Sequence, residues 1–173
     1  MSFIPDPSEC LDLLKESGCS DEVIRHCIAV KVVAVKLAKR ANADVTLVEA
    51  GALLHDIGRS KTHDISHAVE GGKIAKKLGL PNEIILIIER HIGAGLPAVE
   101  AKKLGLPAKD FIPETLEEKI VCHADNLIDH NKKQSIEYEV ERALMDNNKE
   151  YARRLIALHK ELSDICGIDV NKI

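Results

Sequence analysis

Several short stretches hold side chains that could do metal or acid–base chemistry. Helical neighbours lie three and four residues apart, so each candidate can be judged by the company on its face. His26 shares a face with Val23, Ala29, Val30 and Val33. His55 and Asp56 end the apolar run of "ALLHDIGRS" at 52–60. His67 sits with Gly71 and Ile74, where two glycines allow close approach. His91 continues the face of Ile84, Ile87 and Ile88, and Asp125 has Val121 behind it and Ile128 ahead. An ionised carboxylate on an apolar face is costly unless it is paired. No Lys or Arg shares the face of Asp125, so a metal ion is the least costly partner for it and for several converging imidazoles. Such ligands suit Zn, Mn, Fe, Co or Ni. Each residue also has a plainer reading. A lone buried His is usually a satisfied core residue, and Asp125 could cap a helix or pair with Arg25. Separate helices presenting His26, His55–Asp56, His91 and Asp125 inward make a poor passive core, and it is the set that points to a site.

The elements that must position these groups are helical. Asp6, Pro7 and Glu9 read as a capped helix start, and Gly18 as its stop. Apolar periodicity predicts further helices over 20–41, 45–56, 64–78, 82–91, 97–104, 114–129, 134–146 and 148–166, with no strand alternation. The octets "KKLGLPNE" (76–83) and "KKLGLPAK" (102–109) read as one helix stop used twice. The stripe Tyr151, Leu155, Leu158, Leu162 and Ile165 packs on the domain or, alternatively, forms the seam of a homodimer. The expectation is an all-α, single-domain helical bundle over 1–173. Its metal-binding core lies near 20–130 and a C-terminal helical pair near 134–166.

Composition narrows the function classes. A chain of 173 residues can bury roughly 70% of its unfolded surface. With aromatics at 2% and no Trp, the core must be aliphatic and there is little to stack nucleic-acid bases on. The net charge of −4 comes without a basic block, so there is no strong nucleic-acid signal. Nothing reads as a membrane span or, in "MSFIPDPSEC", as a signal peptide. Five cysteines without a Cys-x-x-Cys pair imply reduced thiols and a cytoplasmic protein. Cys27 and Cys122 lie near ligand candidates but form no tetrahedral pattern.

The order His26, His55-Asp56, Asp125 resembles the HD superfamily of metal-dependent phosphohydrolases, and "HDIG" at 55–58 resembles its HDIG subgroup. "CHADNLIDH" at 122–130 is similar to the family's surroundings for its last Asp. The resemblance covers about residues 20–130 and implies an all-helical fold. It implies that His26, His55, Asp56 and Asp125 hold one divalent transition metal ion. His67 in "SHAVEGGKIAKKLG" and His91 in "ERHIGAG" stand where binuclear members add ligands for a second, which Asp56 would bridge. His63 is expected near the entrance, and His123, two residues from Asp125, on another face.

The implied reaction is hydrolysis of a phosphomonoester or phosphodiester, plausibly a nucleotide, by a metal-activated water, with no Ser or Cys nucleophile. Asp56 and Asp125 would hold and orient the water. Arg59 would act in catalysis and, with Lys61, bind the substrate phosphate, whereas Arg25 and Arg90 should face elsewhere. Gly93 and Gly95 free a loop beside His91 that could form part of the mouth. Two other classes share this ligand set: a mixed-valence di-iron oxygenase and a non-catalytic nucleotide-binding HD module.

Overall fold

The computed structural model describes residues 3–173; Met1 and Ser2, which begin the opening stretch read above, lie outside it. Each expected helix forms: α1 (Pro7–Glu16), α2 (Asp21–Ala41), α3 (Val45–Leu54), α4 (His67–Lys77), α5 (Asn82–Glu89), α6 (Ala98–Lys103), α7 (Leu116–Asn126), α8 (Ile136–Met145) and α9 (Lys149–Cys166). Local chemistry sets their ends. Asp6 and Glu9 form a reciprocal capping box, and Ser20, Asp44 and Thr115 each accept a first-turn amide. The repeated octet is the same stop twice. Leu80 bonds back to Ala75 and Gly79 to Lys76, as Leu106 does to Ala101 and Gly105 to Lys102. Both glycines are left-handed, at φ +72° and +79°.

α2 packs against α3 and α7, α3 against α5, and α9, paired with α8, against α2 and α7. One apolar cluster joins α2, α7 and α9 through Val30, Leu37, Ile120, Leu127, Leu155 and Leu162. A second joins α1, α3 and α5 through Leu14, Leu53, Leu54, Ile84 and Ile88. Each such side chain, fully buried, contributes about 1.5–3 kcal/mol. Tyr151, Leu155, Leu158 and Leu162 thus face the molecule's own core, while Ile165 is exposed. Among the described residues no helix is long and apolar enough to cross a membrane.

Three departures from the expected elements all fall at the polar cluster. α3 stops at Leu54 and α5 at Glu89, so His55, Asp56 and His91 lie just beyond helix ends. The absence of strands is corrected by a short antiparallel hairpin after α7. In it β1 (Ile128–Asp129) pairs with β2 (Lys132–Lys133), and the turn passes through His130 at φ +55°. Asp129 and Asn131 flank that turn and are the only local signal for it. That turn brings the His130 carbonyl to the His26 ring.

Candidate metal centre

The structure brings His26, His55, Asp56, His67, His91 and Asp125 together. Asp56 stands at the centre, and its two oxygens face different partners. Oδ2 lies 3.7 Å from Nε2 of both His26 and His55. Oδ1 lies 3.2 Å from His67 Nε2 and 3.4 Å from His91 Nε2. Asp125 completes the first half, with Oδ1 2.9 Å from His26 Nε2 and 3.5 Å from His55 Nε2. His55, Asp56, His67 and His91 are buried, and His26 and Asp125 form the rim.

All four imidazoles are oriented in the same way. Nδ1 of His55 donates to the Ala52 carbonyl, His67 to Asp64 and His91 to Ile88, each at 2.7 Å and each three residues back. His26 Nδ1 donates to the His130 carbonyl. A carbonyl can only accept, so the proton sits on Nδ1 and Nε2 is left with a lone pair. Four lone pairs and two carboxylates therefore converge. Nε2 of His67 and of His91 are 3.0 Å apart, which repels unless a cation sits beside them. His55 Nε2 and Asp56 Oδ1 are buried and have no hydrogen-bond partner. This donor set fits a divalent metal ion. Nε2 or carboxylate atoms of His26, His55 and Asp125, and likewise of His55, Asp56 and His91, lie within 4.8 Å of one another.

Electrostatics agree with the geometry. Burial favours a neutral Asp56, but the imidazoles of His55, His67 and His91 around it outweigh this and hold the carboxyl well below the usual range. Asp125 is likewise depressed, with His26 and His55 overcoming its burial. His55 is raised well above the ordinary value, as Asp56 overcomes the penalty of burial. His91 is lowered, chiefly by burial. Burial also pushes the Cys27 and Cys122 thiols up, and Cys122 donates to the Gly93 carbonyl instead of pointing at the centre.

Glycine explains how the chain closes around the cluster. A Cβ on Gly58 would lie 1.8 Å from the His67 carbonyl oxygen and 2.5 Å from the Gly71 nitrogen. The turn Ile57–Ser60 can therefore press onto the start of α4 only with Gly at this position, and that contact delivers His67 to Asp56.

Arg59 Nε donates to Asp56 Oδ2 at 2.7 Å, and its NH1 reaches the His63 carbonyl. A cavity of about 330 Å³ beside it is walled by Ser20, Val23, His26, Asp56 and the exposed His63 and His130. A second, of about 300 Å³, opens at Arg59, His67, His91 and Asp125. Lys61 is exposed and belongs to neither wall. Arg25 is exposed on the outside of α2, and Arg90 pairs with Glu114 and the buried Glu118. His123 turns away to His159. The far wall of the second cavity was not foreseen. Asn126, Gln134, Glu139, Arg142 and Tyr151 supply it, most of them from α8 and α9, which carry no site motif.

Across its full length the chain is 46% identical to a tRNA (cytidine(56)-2'-O)-methyltransferase of Picrophilus torridus, of which it covers 51%. It thus spans about half the length of that curated relative. It is 45% identical over 164 residues to an uncharacterised protein of Methanocaldococcus jannaschii, covering 91% of this chain and 96% of that one. The HD domain of the L. monocytogenes phosphodiesterase PgpH, solved in complex with cyclic-di-AMP, shares the fold. Its TM-score is 0.56 at 19% identity, over 90% of this chain and 96% of that one. Residues 23–128, which span every member of the cluster, match the HD domain model; with the four oriented imidazoles and the shared Asp56, the chain belongs to the HD domain family.

Proposed function

We propose that the chain is a metal-dependent phosphohydrolase whose centre holds two divalent transition metal ions. The observation that carries this is Asp56, whose Oδ2 faces His26 and His55 while Oδ1 faces His67 and His91. His26, His55 and Asp125 would hold one ion, His67 and His91 the other, and Asp56 would contribute to both. When bound, such a pair supplies an activated water and offsets the charge that builds on phosphoryl oxygens. The side chains do the rest. The Nδ1 anchors fix each ring, and Asp125 on the rim orients the attacking water. Arg59, already at the cluster, swings between Asp56 and a substrate phosphate. The substrate is a phosphomonoester or phosphodiester of a nucleotide. The cyclic-di-AMP complex of the PgpH domain and the tRNA methyltransferase name of a relative half covered by this chain both support a nucleotide or RNA-derived group. That same methyltransferase name supports a second reading, a nucleotide-binding module without turnover.

Metal content by mass spectrometry is the test, combined with a phosphate-ester screen in Mn, Co and Ni. Wild type is expected to carry close to two ions per chain, falling to one in His67→Ala and in His91→Ala, and to release phosphate or split a diester. One ion in all three proteins refutes the binuclear centre. Nucleotide bound and never turned over favours the module.

A further inference from the structure

The second cavity has a wall of unusual composition. Asn126 donates its amide to the Gly93 carbonyl at 2.7 Å, and Gln134 donates to the Asn126 carbonyl at 3.1 Å. Both amides are thereby fixed in orientation, and among the described residues neither side-chain oxygen accepts a hydrogen bond. Tyr151 donates its hydroxyl to Glu139 Oε1 at 3.1 Å, and Arg142 reaches the other oxygen of Glu139 from the exposed rim at 3.1 Å. A carboxylate has about four acceptor positions, so Glu139 can take further donors. Asp129, half exposed, adds another carboxylate. The wall therefore offers the free Asn126 and Gln134 oxygens and the Glu139 and Asp129 carboxylates as acceptors, beside the remaining N–H donors of Arg142, Asn126 and Gln134.

It is also a built wall. The Tyr151 ring lies so close to Gly93 that a Cβ there would sit 2.8 Å from the ring edge, and Gly93 itself is left-handed at φ +59°. α9 thus docks directly on the loop that follows His91. The family match ends at residue 128, so Gln134, Glu139, Arg142 and Tyr151 lie beyond the matched domain span.

We infer that this cavity binds the hydroxyl-bearing carbon skeleton of the substrate, a ribose-type sugar, through Asn126, Gln134 and Glu139. Hydroxyls can donate to the free oxygens of Asn126 and Gln134 and to the remaining acceptor positions of Glu139, and can accept from the amide N–H groups left over. The inference rests on the phosphohydrolase reading only in seating the phosphate at Arg59 and the histidine–aspartate cluster. Ribose and other polyols share this chemistry, and the probes separate them.

Calorimetric titration of the purified, metal-containing protein would compare ribose 5-phosphate, 2-deoxyribose 5-phosphate, glycerol 3-phosphate and inorganic phosphate. Ribose 5-phosphate is expected to bind about tenfold more tightly than the 2-deoxy sugar, as one lost hydrogen bond to a charged acceptor implies. Glu139→Gln and, independently, Gln134→Leu should bring that ratio close to one. Equal affinity for the two sugars in wild type overturns the inference, as does a ratio that both variants retain. Glycerol 3-phosphate binding as tightly as ribose 5-phosphate overturns the sugar assignment. Hydrolysis of bis(p-nitrophenyl) phosphate alongside equal sugar affinities sinks the inference and spares the phosphohydrolase. A clear ribose preference with no ester hydrolysed does the reverse.

Discussion

His123 and Asp125 lie two residues apart in α7, about 200° around its axis, so the helix sends one polar group toward each of two histidine clusters. On the Asp125 side, four imidazoles and two carboxylates converge, and buried acceptors are left without partners. On the other side the groups form a line. His123 Nε2 meets His159 Nδ1 at 2.9 Å, and His159 Nε2 meets Asp169 at 3.0 Å near the surface. The electrostatic outcomes are opposite. His55, beside Asp56, is raised, whereas burial and then His159 push His123 down to about 3. A buried histidine without a carboxylate against it is simply held neutral. Burial alone therefore does not mark a metal centre; convergence of lone pairs on shared carboxylates does.

Three substitutions would break or sharpen this contrast. The largest effect should come from Asp56→Asn, which weakens both halves of the centre at once. Phosphate-ester hydrolysis should fall at least about a thousandfold, equivalent to about 4 kcal/mol, with loss of bound metal. An active Asp56→Asn protein would remove the bridge from the argument. Next is Gly58→Ala. The clash falls on backbone atoms of His67 and Gly71 that cannot rotate away, so destabilisation should reach about 3 kcal/mol. Chemical denaturation would measure it, and a variant within 0.5 kcal/mol of wild type, a roughly neutral change, would show that the turn has room to move.

The smallest effect belongs to the linear cluster. His123 protonates near 6.5 when unfolded but only at about 3 when folded. Between those values the unfolded chain binds a proton that the folded chain does not. Its contribution to stability is thus complete above pH 6.5 and falls with decreasing pH, by up to about 1.4 kcal/mol per pH unit. Wild type should lose about 2 kcal/mol more than His123→Leu between pH 6.5 and 5, with metal content equal in both. Parallel stability curves would mean that His123 is not held neutral.

Much of the candidate metal centre was legible because helices write their contacts locally. His26, His91 and Asp125 stand among apolar residues at helical spacing, and His55–Asp56 closes an apolar run. The helix ends were less legible. Periodicity continues through 55–56 and 90–91, while the backbone turns there so that each ring can reach a carbonyl three residues back. The acceptor-rich wall was not legible at all. Glu139 and Tyr151 look like ordinary amphipathic positions until α9 settles on Gly93.

The order of the chain by itself determined the helical class, the caps and the repeated stop, because propensity, capping and periodicity act within a few residues; the six converging side chains were expected from polar groups on apolar faces together with the resemblance to the HD superfamily. Only the tertiary structure decided that Asp56 divides its oxygens between two sets of imidazoles, that the His130 carbonyl orients His26, and that α8 and α9 close the second cavity. Those features depend on distances between segments as many as 104 residues apart, and such distances are set by how the apolar faces pack.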